Sequence, residues 1–526
     1  MQTVSTQFLD QASGDIAKPS WKVTAAFDKV YDPSVQIFTL DSSLLDGPDI
    51  LALTDSDVVT EWDKYLYTDY SDRVLSVETS RELTEPSSMV QTIADVTFKN
   101  EDDFFTPNSG SPIDQYILPK RPFRIYMGFK GEVIPLFVGL SEKMPTINKK
   151  QGTASFHLID FLSLILDREV PQTNMLLDYS TGEILQELFG EVGILPDQMS
   201  IDSSFNRIPF FFVEKGIKLR SVVEKLMIAE QGRLYRDELG IITFKNRQNY
   251  NTTPVWSFDK RNTLDYDVSG EDDIINFAQI KMNILQIMSE QSVWESAEQY
   301  SVNAGSTIQV WANLTDPITS VVTPVYSPTP EFFSHFISSS DTAGEVPYTD
   351  ISVDSIYSFG KSVLITFENT GTENAYITAI DLWGTPVKTI DTITVQDKDQ
   401  DSIDAFDEQK FEFETEYIQD EDRGISMAAI MVQDYKDPGA IVGTDVQGNP
   451  ALQLDDMIDL DLDGFQGDHI ITKVTNIMRV EGGIEAPLMV YQQRLVSKYK
   501  APVQYFILSS DSQAMSLLDS EAVLMN

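Results

Sequence analysis

The stretch PFRIYMGFKGEVIPLFVGL, residues 122–140, decides the fold of this chain because apolar and polar residues alternate along it. A period of two is the pattern of a strand with one buried face, since successive side chains point to opposite sides. The pair Lys130-Gly131 interrupts the alternation and is typical of a turn, so EVIPLFVGL is predicted to return as the hairpin partner. The buried face of the first strand is predicted to consist of Phe123, Ile125, Met127 and Phe129.

The same alternation continues on both sides of this stretch. Downstream, ASFHLI (154–159) alternates again and leads into DFLSLIL (160–166), whose length and leucine content predict a short helix. The segment 74–166 is therefore predicted to form a small antiparallel barrel or sandwich that a helix closes. Upstream, polar residues separate the apolar residues Val90, Ala94, Val96 and Phe98.

Between residues 180 and 250 the apolar period changes to that of a helix. STGEILQELFG has Ser180 and Glu183 at the spacing of a capping box and ends at a glycine. SVVEKLMIAEQG repeats this pattern with Ser221 and Glu224. RLYRDELGIITFK then predicts two short strands joined by a turn. These patterns predict an α/β module of two helices and a hairpin.

The rest of the chain has mostly strand patterns. SVLITFENTG and NAYITAIDLWG are predicted to form a hairpin around residues 369–374. One helix is predicted to begin at Ser402, and EDRGISMAAIMVQDYKDP (421–438) predicts another that Pro438 ends. Residues 452–498 read as a last strand unit, and AMSLLDSEAVLM near the end is a short amphipathic stretch. The predicted fold class is mainly β with α+β: two β-barrel-like domains, an α/β module and a strand-rich middle section.

The charge of the chain restricts its partners. Its 526 residues include 38 Lys+Arg and 82 Asp+Glu, which gives a formal net charge of −44. Nucleic acids and anionic membranes are bound by clusters of Lys and Arg, so binding driven by the charge of the whole chain is excluded. No apolar run approaches the roughly 18 residues of a membrane span, and the N-terminus lacks the basic and apolar parts of a signal peptide. We therefore expect synthesis in a cytoplasm, from Met1, and no membrane insertion.

The sequence offers few residues for catalysis. It has no cysteine and only three histidines, His157, His335 and His469, and it lacks the common hydrolase, zinc-protease, phosphate-loop and dinucleotide motifs. His157 lies between Phe156 and Leu158 in a predicted strand, which favours a structural role. Paired carboxylates for glycoside hydrolysis stay a minor alternative, because the separation of 82 acids is not readable from sequence. We expect a protein that is not an enzyme and needs no cofactor.

Two acidic runs are weak candidates for calcium sites. In IDLDLDGFQGD the glycine that follows the acids suits a calcium loop, but Ile470 occupies the twelfth position, where a bidentate Glu belongs. A half-exposed strand entering a turn explains this run more simply. In QDKDQDSIDAFDE, Ser402 takes the place of the glycine, and a helix N-terminus rich in acids is the preferred interpretation. The candidate ligands are Asp459, Asp461 and Asp463 in the first run, and Asp397, Asp399, Asp401 and Glu408 in the second.

Four segments resemble, in order, bacteriophage minor tail proteins of the baseplate or tail-tip hub family. Residues 96–145 are similar to the first barrel of that family, 232–245 to its second domain and 364–387 to its third section. LQLDDMIDLDLDGFQGDHIITKV is similar to its last barrel, so the resemblance spans about 70–500. The family usually has Tyr-Gly where this chain has Phe406-Asp407. The matching positions of the first segment are Asn100, Asp102, Asp103, Phe105, Pro107, Pro122, Phe137 and Gly139, and those of the third are Asn369, Gly371, Ala375, Tyr376, Leu382, Gly384 and Pro386.

The resemblance implies a structural virion protein at the distal tail tip, assembled in the bacterial host cytoplasm. A homotrimeric ring would continue the tail tube, and genome DNA would pass through its lumen without specific binding. The implied neighbours are the distal tail protein ring, the C-terminus of the tape measure protein, and tail fibre or receptor-binding proteins. We expect a large share of the −44 charge to face the channel. The implied domains are a first hub β-barrel with an N-terminal arm (1–170), the α/β module (171–255), a strand-rich section with a sandwich-like insertion (256–395), a last hub β-barrel with a helix (396–500) and a C-terminal extension (501–526).

A second function class stays open at this point. Exposed tryptophans on β-sandwiches stack on sugar rings, so the chain could be a carbohydrate-binding or adhesion protein of a phage tail, which binds a receptor. The candidate residues are Trp294, Trp311 and Trp383 in the strand-rich middle section. Each of them also suits a core or hinge position.

Overall fold

The computed structural model describes residues 1–14, 18–30, 65–84, 89–247, 253–270, 274–436, 440–462, 465–481 and 488–499. Among these residues, no helix is long and apolar enough to cross a membrane. The helices are α1 (Thr6–Ala12), α2 (Phe161–Leu166), α3 (Thr181–Glu191), α4 (Leu219–Glu230), α5 (Gln400–Phe406) and α6 (Glu421–Tyr435). The first strands are β1 (Pro19–Ala25), β2 (Thr68–Asp69), β3 (Val74–Thr84), β4 (Met89–Lys99), β5 (Pro122–Phe129), β6 (Glu132–Ser141), β7 (Thr146–Asn148), β8 (Thr153–Asp160), β9 (Leu176–Ser180), β10 (Met199–Ile201), β11 (Arg207–Phe211), β12 (Arg233–Arg236), β13 (Ile242–Lys245), β14 (Trp256–Asp259) and β15 (Thr263–Gly270).

The remaining strands follow in the second half of the chain. They are β16 (Phe277–Ile287), β17 (Gln291–Ser296), β18 (Tyr300–Val302), β19 (Thr307–Asn313), β20 (Ile318–Val321), β21 (Val325–Tyr326), β22 (His335–Ser339), β23 (Ile351–Phe359), β24 (Ser362–Asn369), β25 (Ala375–Lys398), β26 (Lys410–Thr415), β27 (Ala440–Val446), β28 (Met457–Leu462), β29 (Phe465–Glu481) and β30 (Leu488–Tyr499). The mainly β class with α+β parts is confirmed.

The first β unit consists of β1–β8 and α2. Its principal strands pair antiparallel in the order β1-β5-β6-β8-β4-β3. Lys130 and Gly131 join β5 to β6 with φ values of 50° and 86°, the left-handed pair that a tight hairpin turn requires. The predicted hairpin is thus confirmed, and so is its buried face, because the four apolar residues of β5 are fully buried.

The α/β module consists of β9–β13 with α3 and α4. The capping box of α3 is confirmed: Ser180 Oγ accepts from the Glu183 N–H at 3.3 Å, and Glu183 Oε2 accepts from the Ser180 N–H at 2.8 Å. The second predicted capping box is wrong. Helix α4 begins at Leu219, which is fully buried, and Ser221 lies inside its first turn, where its hydroxyl donates to the Lys218 carbonyl at 3.1 Å. Burial of Leu219 outweighs the capping pattern, because it draws the start of the helix three residues upstream.

The middle of the chain forms a β-sandwich, and the predicted hairpin around 369–374 is wrong. Strand β24 lies in the sheet β19-β24-β23, whereas β25 pairs with β17, β18, β20 and β22 in the facing sheet. The cause is Asn369, a buried corner residue. Its amide nitrogen donates to the carbonyls of Val302 (3.1 Å) and Glu373 (2.8 Å), and its oxygen accepts from Gly371 N–H (3.0 Å). These bonds turn the chain from one layer into the other.

The C-terminal β unit has the strand order β14-β28-β29-β30-β27-β15. It recruits β14 and β15, which come from residues 256–270 and precede the sandwich in the chain. Helix α6 begins at Glu421 as expected and ends at Tyr435. Pro438, the predicted end, lies outside the described residues, as does AMSLLDSEAVLM.

The two β units are joined into one sheet. Strand β3 pairs on one side with β4 and on the other with β29, with Lys473 opposite Glu82 and Arg479 opposite Ser76. Within the described residues neither unit closes into a barrel, because β1 does not pair with β3 in the first unit and β14 does not pair with β15 in the second. The edge that the two units share was not predicted.

Helix α5 begins earlier than predicted. Its cap is Asp399, whose carboxylate accepts from the Ser402 N–H at 2.9 Å, so Ser402 lies in the first turn. The helix ends at Asp407, with φ 61° and ψ 167°. That combination is almost confined to glycine, and this is the position where the resembling family has Gly. The departure from the family pattern therefore places a strained residue at the end of α5.

We expect Asp407→Gly to raise the free energy of unfolding by about 1 kcal/mol, because glycine adopts this backbone conformation without strain. Urea denaturation of both proteins measures the change. Asp404→Gly, inside the same helix, is the matched control and should lower the free energy by about 1 kcal/mol. Equal changes for the two variants would contradict the assignment of strain to Asp407.

Candidate functional site

A buried ionic junction holds three sections of the chain together. Arg81 of β3 forms an ion pair with Glu238, which lies in the β12–β13 turn, and both side chains are buried. Arg81 Nη2 also donates to the Arg236 carbonyl at 2.6 Å. Glu238 accepts a further bond from Gln453 Nε2 at 2.7 Å. The first β unit, the α/β module and the C-terminal β unit therefore meet at a single carboxylate.

Two further contacts extend this junction. Arg233 of β12 pairs with the buried Asp455, which again links the module to the C-terminal unit. The ammonium group of Met1 lies 2.5 Å from Asp456 Oδ1, and the Gln2 N–H donates to the Ala451 carbonyl at 2.8 Å. The start of the chain is thus attached to its C-terminal unit.

Burial lowers the pKa of Arg81 by desolvating its guanidinium, and nearby Tyr235, Asp237 and Asp160 raise it.

The sequence reading did not single out Arg81 or Glu238. The sequence pattern that could have identified Arg81 is its position in β3. Val77, Thr79 and Arg81 are alternate residues of this strand, and all three lie on its buried face. A charged residue in a buried phase indicates a partner charge. Glu238 had no comparable signal, because it lies in a turn.

Candidate calcium ligands Asp459 and Asp461 lie on the outward face of β28, as the strand interpretation predicts. Asp459 is opposite Ser257 on one side and Asp468 on the other, and Asp461 accepts from Gln466 Nε2 at 2.7 Å. In the part of the chain that the structure describes, no group of three or more His, Cys, Asp or Glu residues has the geometry of a metal site. Asp463 lies outside the described residues.

The second acidic run serves helix α5. Asp399 caps the helix, and its other oxygen lies 2.9 Å from Lys436 Nζ. The hydrogen bond from Lys436 and then the bond from the Ser402 N–H lower the pKa of the Asp399 carboxyl. Asp397 lies at the end of β25 and Asp401 in the first turn of α5. Glu408 follows the helix.

The C-terminal β unit has an acidic outer face. At its β15 end, Arg494 of β30 bridges Asp267 (Nη2 to Oδ1, 2.5 Å) and Asp445 (Nη1 to Oδ2, 3.0 Å), and hydrogen bonding to Asp267 raises the pKa of Arg494. At its β14 end, a groove of about 840 Å³ is bordered by Trp256 and Arg261. We define the acidic face as Asp259, Asp265, Asp267, Asp445, Asp459, Asp461 and Asp468.

The same unit has an apolar edge strand. In the described part of the chain, β15 pairs with β27 alone. Tyr266 and Val268 are opposite Thr444 and Val442, so they point to the side on which the core of the unit lies. They are nevertheless 37% and 38% exposed, and the neighbouring Leu264 is 55% exposed. The core of the C-terminal unit is therefore open along β15.

The histidines and tryptophans singled out from the sequence are dispersed. His157 lies on the exposed side of β8 with Nδ1 2.9 Å from Asp95 Oδ1, His335 is buried in the sandwich, and His469 is buried in the C-terminal unit, where desolvation lowers its pKa. Trp294 packs against the sandwich core and Trp383 Nε1 donates to Asp381 Oδ2 at 2.8 Å. Trp311, on β19, lies in the opposite sheet of the sandwich and is exposed.

The segment that resembles the first family barrel forms a tight corner after β4. Asn100 is buried, its oxygen accepts from the Phe105 N–H at 2.7 Å, and its nitrogen donates to Thr106 Oγ1 at 3.0 Å. Asp102 and Asp103 are ion-paired with Arg73 and Lys149. Phe105 is fully buried among other aromatic rings, so these residues have structural roles in this chain.

No model of a known protein family matches the sequence, and no curated protein does. Solved structures of phage tail proteins are similar to this chain. The 43 kDa tail protein of prophage MuSo2 from Shewanella oneidensis is 10% identical with a TM-score of 0.44, over 82% of this chain and 96% of that one. A tail protein from Neisseria meningitidis MC58 is 8% identical with a TM-score of 0.45, over 82% and 93%. Prophage tail protein gp18 from Listeria monocytogenes EGD-e is 9% identical with a TM-score of 0.39, over 84% and 93%.

We expect Arg81→Met to lower the free energy of unfolding by about 3–5 kcal/mol, because it leaves Glu238 buried without its cation. Urea denaturation measures the change. Lys473→Met removes a more exposed ion pair, with Glu82, at the same β3–β29 boundary and should change the free energy by less than about 1 kcal/mol. If Arg81→Met lowered the free energy of unfolding no more than Lys473→Met does, the ionic junction would contribute little to stability.

Proposed function

We propose that this protein is the structural hub of a phage tail tip or baseplate. It forms a homotrimeric ring that continues the tail tube, anchors tip and fibre proteins and surrounds the channel for DNA ejection. The observation that carries the proposal is the continuous sheet through two β units, which leaves an apolar edge on the second unit. The ordered resemblance over residues 70–500 supports it.

The open edge supports association of copies. A strand with a free edge has unpaired N–H and C=O groups, and it pairs readily with another chain unless it is covered. Leu264, Tyr266 and Val268 add apolar surface beside those groups. Three copies around a closed axis would bring six β units into one ring, which suits a six-fold tube. The β15 edge of each copy would contact the first β unit of the next.

The acidic face supports a place beside moving DNA. Phosphates bind to Lys and Arg with release of counterions, so a wall of carboxylates repels the duplex and lets it slide. In the proposed ring the acidic face lines the channel. Other surfaces would contact the distal tail protein ring, the C-terminus of the tape measure protein and the tail fibre or receptor-binding proteins. The protein would be assembled in the bacterial cytoplasm and act in the virion without catalysis of its own.

We expect the purified protein to have a mass three times that of the 59.2 kDa chain in light scattering. Val268→Lys should produce the single-chain mass, because it places a charge in the proposed contact. Ile390→Lys is the matched control, since Ile390 is exposed on β25, and it should keep the trimer. A wild-type protein of single-chain mass, or a trimer unchanged by Val268→Lys, would argue against this interface.

Phage particles carrying Asp459→Lys and Asp461→Lys together should assemble normally and release DNA more slowly, because two cations in the channel attract phosphate. Dye uptake by the released DNA measures the rate. Glu345→Lys with Asp354→Lys on the sandwich makes the same charge change at exposed positions and should leave the rate unaltered. Equal rates for both double variants would place the acidic face outside the channel.

A further inference from the structure

The outward face of the sheet β19-β24-β23 has an aromatic centre. Trp311 on β19 and Tyr357 on β23 are both opposite Leu364 of the central strand, so the three side chains form one row. Trp311 is 45% exposed and Tyr357 is 59% exposed. The ring of Phe359 lies beside Trp311, with centroids 5.8 Å apart and planes inclined by 25°. The inward face of the same sheet is buried in the sandwich core.

The rows on either side of the aromatic row are polar and uncharged. Gln309, Thr366 and Ser355 form the row above it, and Asn313, Ser362 and Phe359 form the row below, with Ser362 between the other two. We call these three rows the sandwich platform. Its nine side chains include no charge, but two carboxylates border the platform: the exposed Asp354, which lies in the bulge beside Ser355, and Glu368 in the next row. The platform therefore has hydroxyl and amide groups around aromatic rings, on a strongly acidic protein.

The platform is anchored at one end. In the turn between β23 and β24, the Gly360 N–H donates to the Thr173 carbonyl at 2.9 Å, and Ser362 Oγ donates to Gln172 Oε1 at 3.0 Å. Lys361 pairs with Glu214 at 3.0 Å. A Cβ at Gly360 would lie 2.3 Å from the Phe212 ring, so the turn fits closely against the α/β module. A fixed platform loses little freedom when it binds a ligand.

We propose that the sandwich platform binds a neutral polysaccharide. The C–H groups of a pyranose ring would lie against the electron-rich faces of Trp311 and Tyr357, and the sugar hydroxyls would bond to the exposed amides of Gln309 and Asn313. The three rows contain no cation that would match a carboxylate or sulfate, and the carboxylates of Asp354 and Glu368 border them, so a neutral glycan is favoured over an anionic one. This activity goes beyond the structural role proposed above and does not depend on it.

The size of the platform favours a glycan over a protein partner. Three strands and three rows cover about 10 by 14 Å, or about 140 Å² of sheet, at the usual strand spacing and rise. Stable protein interfaces bury about 800 Å² on each partner. The platform is therefore far smaller than such an interface and has the extent of a short oligosaccharide. The separation of Trp311 from Tyr357 across β24, about 10 Å, allows both rings to contact one glycan chain.

Affinity electrophoresis of the full chain tests this proposal. The probes are native gels containing dextran, galactomannan or glycol chitin as neutral polymers, and hyaluronate as an anionic one. We expect the protein to migrate more slowly in at least one of the neutral gels than in a gel without polymer. We expect hyaluronate not to slow its migration. Trp311→Ala and Tyr357→Ala should each weaken the apparent affinity by about tenfold or more, because each removes one stacking surface.

Two controls separate binding from folding. Phe332→Ala removes an aromatic ring that is 94% exposed outside the platform, and it should migrate like the wild type in every gel. Trp311→Tyr retains a ring and should recover part of the affinity lost in Trp311→Ala. Migration that is unchanged in all three neutral gels would overturn the proposal. Retardation by hyaluronate alone, or retardation that Trp311→Ala leaves intact, would overturn it as well.

Discussion

The buried pair of Arg81 and Glu238 is the contact on which the arrangement of the protein depends. A charge removed from water is tolerated only when a partner and further hydrogen bonds satisfy it. Arg81 pairs with Glu238 and donates to a carbonyl of the module, and Glu238 also accepts a hydrogen bond from Gln453 of the C-terminal unit. Sliding any one of the three sections would leave a buried charge without its partner. The junction therefore specifies how these sections pack.

The β3–β29 pairing follows from the same arrangement. Once Arg81 is held at the junction, β3 has a free edge beside the C-terminal unit, and β29 occupies it along most of its length. One consequence is that β3 is unavailable to close the first β unit. Another is that β15, at the opposite end of the joined sheet, has no second strand partner among the described residues and has exposed apolar side chains. An open edge of this kind suits a subunit whose final neighbours are other chains.

Charge is distributed unevenly over the protein. The acidic face on the C-terminal unit combines seven carboxylates, of which Arg494 pairs with Asp267 and Asp445, and Arg261 pairs with Asp259. The sandwich platform, in contrast, has no charged side chain in its three rows. The two proposals, repulsion of DNA and binding of a neutral glycan, thus concern two surfaces of one chain that differ in charge. The sandwich lies in the part of the chain between β15 and β27, two strands that pair with each other.

The sequence by itself determined the elements whose causes are local. The β5–β6 hairpin, the buried face of β5, the capped start of α3 and the start of α6 all depend on residues a few positions apart, and period, turn and cap chemistry act over that range. Only the tertiary structure decided which elements meet. Arg81 and Glu238 are 157 residues apart, and the strand partners of β14 and β15 lie beyond the whole sandwich. Asn369 turns the chain between layers because its amide reaches Val302, 67 residues away, which no local pattern records. Long-range partners are selected by burial and by the satisfaction of charges and hydrogen bonds, and these exist only once the sections have packed.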